Sequence, residues 1–130
     1  MKITGMTTQI ITKEPEAAIS LFEALGFERR HNKVGDDEFA FSTVIMKRSK
    51  DGSDTESFCV EIVSSPKNPL ERDLTAIRIN VDDFEAACEL MEKMGAERSN
   101  KFGTNVTPSS KYQYFILPSG AVIDICYHIK

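Results

Sequence analysis

No apolar run in this 130-residue chain approaches the roughly 18 residues that a membrane-spanning helix needs. Its three cysteines, Cys59, Cys88 and Cys126, are odd in number and far apart, and none belongs to a Cys-x-x-Cys pair. A disulfide framework or a zinc knuckle is therefore excluded as the organising device, and a reducing, cytoplasmic setting is expected. The opening residues, Met1-Lys2-Ile3-Thr4-Gly5, lack the apolar core of a secretory leader. Basic clustering is also missing. The net charge is -4, and the densest basic patch, Glu28-Arg29-Arg30-His31-Asn32-Lys33, is short and interrupted. Nucleic acid and anionic membranes both call for clustered Lys and Arg, so neither is expected as a partner.

What remains is the composition of an ordinary globular domain, 41% hydrophobic and 28% charged, long enough to bury a core. Its dominant feature is a repeat. Glu16-Ala17-Ala18-Ile19-Ser20-Leu21-Phe22-Glu23-Ala24-Leu25-Gly26-Phe27-Glu28-Arg29 returns as Glu85-Ala86-Ala87-Cys88-Glu89-Leu90-Met91-Glu92-Lys93-Met94-Gly95-Ala96-Glu97-Arg98 without a gap. Two unrelated amphipathic helices would match at apolar positions, but not at the Gly and the Glu-Arg that follow. Two copies are too few for a solenoid and point to a pseudo-symmetric pair of modules.

Each copy sits in the same local order. Met6 to Thr12 is rich in β-branched residues and reads as a strand. Pro15 can open a helix without losing a needed N–H, with Ala17, Ala18, Leu21, Phe22 and Leu25 as its apolar stripe. Gly26 closes it as a left-handed cap. Strands follow at Phe27 to Lys33, Glu38 to Lys47 and Glu56 to Ser64, with a turn at Gly35-Asp36-Asp37 and a polar loop from Ser49 to Thr55. The second copy runs from a strand at Thr75 to Val81 into a helix. Asp82 and Glu85 have capping-box spacing there, and Phe84, Ala87, Cys88, Met91 and Met94 form the stripe, the methionines filling core. Gly95 ends that helix. Ala96 to Lys101 is a strand, Gly103 to Ser110 a polar loop, Lys111 to Leu117 a strand, Pro118-Ser119-Gly120 a tight turn and Ala121 to His128 the last strand. The expected fold class is α+β: two β-α-β-β-β modules, residues 1–64 and 74–130, joined by a proline-containing linker at 65–73, with mostly antiparallel sheets and helices on one face.

The β-α-β-β-β repeat, the helix end at Leu25-Gly26-Phe27 and the segment Phe115-Ile116-Leu117-Pro118-Ser119-Gly120-Ala121-Val122-Ile123-Asp124 resemble the vicinal oxygen chelate superfamily, the group of glyoxalase I, bleomycin-resistance proteins and extradiol dioxygenases. Its closing motif is similar to Phe-x-Asp-Pro-Asp-Gly-Asn-x-Ile-Glu. This chain keeps Phe115, Pro118, Gly120, Ile123 and an acid, Asp124. The resemblance spans nearly the whole chain and implies sheets curled around a central cleft with helices outside. It says little about chemistry, because one fold hosts many.

Metal-dependent members hold a divalent ion with His on the first strand of a module and Glu on the last. Matched through the helices, those His positions fall near Thr7 and Ala76, where the neighbours Met6, Thr8, Thr75 and Ile77 offer no imidazole either, and the acid positions at Glu61 and Asp124. Two carboxylates without an imidazole make a poor site for zinc, nickel or iron, so neither a metal nor another cofactor is expected. The resemblance places Glu61 and Asp124 in the cleft as ligand-binding or acid-base groups, although period two equally allows them to face solvent. Tyr114 and Tyr112 share a strand face, and Tyr114 stands about where a cleft tyrosine does in the related dioxygenases. Candidate ligand-binding residues are therefore Glu61, Asp124, Tyr114, Tyr112 and Thr7, with Glu61 and Asp124 the candidates for catalysis. His128 shares parity with Asp124 and Cys126, but a frayed terminal histidine is the plainer interpretation. His31 reads as solvated, and Cys59 and Cys126 as structural thiols. The expectation is a small-molecule binding protein without a catalytic metal, similar to the bleomycin-resistance branch. The alternative is a lyase, isomerase, epimerase or dioxygenase-type enzyme using the cleft carboxylates. The resemblance also implies a homodimer, with modules paired within one chain or swapped between two.

Overall fold

A computed structural model of the chain describes residues 1–34, 42–50, 53–64, 71–101, 106–107 and 110–129. The expected turn at Gly35-Asp36-Asp37, the strand positions Phe39 and Phe41, most of the 65–73 linker and the start of the Gly103 loop lie outside these residues. So does the side chain of His31. The elements are β1 (Ile3–Thr12), α1 (Pro15–Ala24), β2 (Glu28–Val34), β3 (Ser42–Lys50), β4 (Ser53–Ser64), β5 (Leu74–Val81), α2 (Phe84–Lys93), β6 (Glu97–Ser99), β7 (Val106–Thr107), β8 (Ser110–Ile116) and β9 (Val122–His128). They form two compact units, Thr8–Thr75 and Met1–Thr7 with Ala76–Lys130. The division passes through β1.

In the Thr8–Thr75 unit the strand order is β2-β3-β4-β1. The β2–β3 and β3–β4 pairs are antiparallel, while β1 runs parallel to β4 with Gln9 opposite Glu61. The polar segment expected as a loop from Ser49 is mostly strand, since β3 extends to Lys50, which pairs with Ser53. Helix α1 opens on Pro15 and packs Ala18, Ile19 and Phe22 against Met46, Val60 and Ile62. This corrects the expected stripe. Ala17, Leu21 and Leu25 point outward, with Leu21 57% and Leu25 55% exposed. Residues 18, 19 and 22 and residues 17, 21 and 25 both satisfy helical spacing, because α1 is apolar over much of its circumference. The choice falls on the face that reaches Phe27. Phe22 and Phe27 meet edge to face at 5.1 Å, while Gly26 (φ 92°) donates to Glu23 and Phe27 donates to the Phe22 carbonyl. That is a Schellman closure with its hydrophobic contact.

The other unit has the order β1-β5-β9-β8-β6, with β7 also on β8. Here β5 and β9 are parallel and the remaining registered pairs antiparallel. Helix α2 covers a core of Val81, Ala87, Cys88, Ala96, Phe115 and Ile125. Its end repeats the first closure: Gly95 has φ 95° and donates to Glu92, and Ala96 donates to Met91. Met91 packs on the core as expected, whereas Met94 is 73% exposed and is not core filler. The start of α2 needs a second correction. Asp83, not Asp82, is the N-cap, accepting from the Ala86 N–H at 3.1 Å. Asp82 instead accepts from the Lys2 N–H at 2.6 Å, tying β1 to β5. The matched Glu-Arg also finds a structural role in both units. Arg29 lies 3.6 Å from Glu23, and Arg98 lies 3.0 Å from Glu92, each clasping the last turn of the preceding helix. None of the described residues forms a helix long and apolar enough to cross a membrane.

Candidate functional site

Strand alternation gives each sheet two faces. In the Thr8–Thr75 unit the residues Ile10, Val44, Met46, Val60 and Ile62 face α1. Gln9 and Glu61, of the opposite parity, lie on the face without a helix. Both are buried, Glu61 at 5% exposure, so the solvent-facing alternative does not hold for it. A buried carboxylate costs several kcal/mol unless its oxygens are engaged. Gln9 supplies that engagement: its Nε2 donates to Glu61 Oε1 at 2.6 Å, a short charge-assisted bond. The parallel register sets it, because Gln9 and Glu61 are direct cross-strand partners.

In the other unit, Asp124 is 4% exposed on the helix-free face of β9. Its register partners are Arg78 on β5 and Tyr114 on β8. Tyr112, opposite Cys126, stands beside Tyr114 on the same face, with ring centroids 5.9 Å apart in an edge-to-face pair. Both tyrosines are buried. Thr7 accepts a long bond, 3.5 Å, from Arg78 Nη2. Four of the five candidate residues, Thr7, Tyr112, Tyr114 and Asp124, thus belong to this unit, and Glu61 to the other.

Gln9 and Arg78 were not singled out from the sequence. A signal for them existed. They stand at the same offset along the chain as Glu16 and Glu85, so the repeat relates them. Each lies two residues beyond a superfamily imidazole position, Thr7 or Ala76. Each is the cross-strand partner of an acid on the last strand of its module. A Gln inside Thr8-Gln9-Ile10-Ile11 and an Arg inside Ile77-Arg78-Ile79 are polar interruptions of apolar strands.

The remaining titratable groups fall outside these faces or lack activation. His128 is exposed at the end of β9. Cys126 is buried and Cys59 half-buried. Cys88, under α2, has its thiol pushed up from 9.0 to about 11, chiefly by burial, against the lowering influence of Arg98. It is an inert packing residue. An open recess of about 390 Å³ at the start of α2 is lined by Asp82, Asp83, Glu85, Lys111 and Tyr127 among others. Asp83 caps the helix, Asp82 accepts from the Lys2 N–H, and Glu85 lies in the first turn at the positive end of the helix dipole.

The donor set does not fit the superfamily's divalent metal. Thr7 and Ala76 offer no imidazole, Ala76 is buried, and an oxygen of Glu61 is already engaged by an amide. Among the described residues there is no group of three or more His, Cys, Asp or Glu that could hold a metal ion.

No family model matches the sequence, and no curated protein matches it. Solved structures do. A Streptomyces coelicolor methylmalonyl-CoA epimerase variant in complex with 2-nitronate-propionyl-CoA superposes with a TM-score of 0.70 at 14% identity, covering 99% of this chain and 100% of that one. Methylmalonyl-CoA epimerase from Mycobacterium tuberculosis gives 0.68 at 15% identity, with 98% and 90% covered. A glyoxalase/bleomycin resistance protein/dioxygenase superfamily member from Vibrio splendidus gives 0.53 at 16% identity, with 97% and 99% covered. At these identities the likeness is one of fold.

Proposed function

From the vicinal oxygen chelate fold that this chain shares with those proteins, we propose that it binds a small organic molecule on the helix-free sheet faces without a catalytic metal. One observation carries this. Two acids, Glu61 and Asp124, are buried on faces that no helix of their own unit covers, where an apolar residue would pack at lower cost. The ligand contacts are Glu61, Asp124, Tyr114, Tyr112 and Thr7. The carboxylates accept bonds from ligand donors, and the phenol and threonine hydroxyls can donate or accept. The protein works as a cytoplasmic homodimer of modules 1–64 and 74–130. Sedimentation as a monomer at micromolar concentration would contradict the dimer.

A second reading is favoured by the epimerase likeness, which spans nearly all of both chains. In it a cleft carboxylate takes the proton from the carbon beside a carbonyl, and a proton returns to that carbon from the other side. Calorimetry with methylmalonyl-CoA, the molecule bound in another of the similar epimerase structures, tests both readings when paired with a Glu61→Gln, Asp124→Asn variant. Loss of binding in a variant that still folds supports the binding reading. Solvent deuterium incorporation beside the thioester, abolished in the variant, would promote the enzyme. Binding that the double substitution leaves unchanged would sink both.

A further inference from the structure

The helix-free face that holds Asp124 carries a further polar side chain, Asn80. Ile79 and Val81 pack on the α2 core, so Asn80 between them faces the other way, as Arg78 does. It stands directly across from Cys126, which in turn stands across from Tyr112. Two residues along the strands lies the row of Arg78, Asp124 and Tyr114. Asn80 is half-buried, but its Oδ1 is shielded from solvent, and among the described residues no donor reaches that atom. Two other strand amides are treated differently. Gln9 donates to Glu61 at 2.6 Å, and Gln113 donates to the Ser99 and Tyr114 carbonyls at 3.1 and 2.9 Å. A buried acceptor without a donor lowers stability and calls for a reason.

The frame of the module does not supply that reason. The repeat that relates Gln9 to Arg78 relates Ile11 to Asn80, and Ile11 is a core residue, 3% exposed. An apolar side chain therefore suits the matched position. The Asn80 amide also lies close against β1. A Cβ on Gly5 would meet Asn80 Nδ2 at 3.1 Å, and the Asn80 Cβ and Cγ at 3.8 and 3.9 Å. Nδ2 is thus the end turned toward the glycine, and Oδ1 is the end left to another partner. We propose that Asn80 is a ligand contact whose Oδ1 accepts an N–H or O–H of the molecule bound on this face. Gly5 is its positioning residue, because any side chain there would push the amide aside. Asn80 is uncharged, so it selects a hydrogen-bond donor at this point of the ligand without requiring a cation. The proposal rests on the binding reading above and adds to it one residue and one demand on the ligand.

The test sets stability against binding. Asn80→Ile, the residue of the matched position, removes the buried acceptor and suits a strand. It should raise the melting temperature by roughly 2–6 °C and weaken methylmalonyl-CoA binding about tenfold in calorimetry. A structural asparagine would move both in the same direction. Gly5→Ala should weaken binding by a smaller factor, and should add nothing in an Asn80→Ala background, because it acts through the amide. A lower melting temperature for Asn80→Ile would overturn the proposal, as would unchanged binding; either is expected if a buried water is the only partner of Oδ1. If Asn80→Ile does not fold, Asn80→Ala carries the binding arm, and binding equal to the original overturns the proposal there too. Should methylmalonyl-CoA fail to bind the original chain, the binding reading loses that ligand, and acetamide becomes the donor probe. A saturable shift of the Asn80 side-chain amide resonances, identified by their loss in Asn80→Ala, would then support the contact, and resonances that stay put would overturn it.

Discussion

The two modules have the same frame and different chemistry. Both close their helix on a glycine at positive φ, both clasp the helix end with an arginine, and both set an acid on the last strand across from the first. They part at the residue opposite that acid, a glutamine in one and an arginine in the other. What is matched between them is what the backbone requires, namely left-handed glycines, a helix clasp and a parallel register. What differs is the residue across from the buried acid, neutral Gln9 in one and cationic Arg78 in the other, which the backbone does not constrain. Pseudo-symmetry here fixes positions and leaves electrostatics free.

Substitutions at matched positions sharpen this contrast. The largest effect is expected in the helix seats. Ile19 is 1% exposed and its counterpart is Cys88. Ile19→Ala should cost about 2–4 kcal/mol in urea unfolding, while Leu21→Ala on the outward face stays within about 0.5 kcal/mol. Equal costs would reverse the assignment of the buried face. Next come the caps. Gly95→Ala should cost about 1–2 kcal/mol, the penalty of a left-handed residue with Cβ. Gly26→Ala should cost a similar amount, because the atom its new Cβ would meet, Arg48 Nε at 2.7 Å, belongs to an exposed flexible side chain that can move aside, while at Gly95 the nearest atom is Pro118 Cγ at 3.6 Å. A Gly26→Ala variant much worse than Gly95→Ala would show that Arg48 is held in place.

The clasps give smaller differences. Arg98 also lies over the Phe115 ring, 5.7 Å from its centroid, and Arg98→Ala should cost about 0.5–1 kcal/mol. The solvent-screened Arg29→Ala should stay below about 0.5 kcal/mol and vanish in high salt. The smallest effect at neutral pH belongs to Cys88 alone. Its thiol is protonated in the folded state up to about 11, chiefly through burial, against 9.0 unperturbed. The unfolded chain loses that proton first, so stability should fall as pH rises from about 9 to about 11 and be unaffected below. A Cys88→Ala variant should lose this part of the alkaline profile, and Cys88 in the intact protein should resist alkylation at pH 8.5. Fast alkylation of Cys88, located by peptide mapping of folded protein, would contradict its burial.

Much of this was legible in the sequence because it rests on backbone chemistry. Gly26, Gly95 and Gly120 announce left-handed turns, and the Pro118-Ser119-Gly120 turn closes as expected between Leu117 and Ala121. The acids Glu61 and Asp124 stood out as polar residues in apolar strands. The buried face of α1 was not legible, because leucines and alanines satisfy two stripes and only packing chooses between them. The cap at Asp83 was hidden by an adjacent aspartate that β1 claims. Gln9 escaped notice because strand pairing, not spacing, brings it to Glu61. The fold itself agrees with the superfamily likeness read from the closing motif.

The proposal to test is that Glu61, which accepts from the Gln9 amide, and Asp124 serve a ligand without a divalent metal. The most direct measurement is metal content by elemental mass spectrometry, on protein purified without chelator and again after loading with manganese, nickel, zinc and iron. The account predicts well under one equivalent per chain in every sample, with no change on Glu61→Gln. Near-stoichiometric metal that disappears with Glu61→Gln would contradict it.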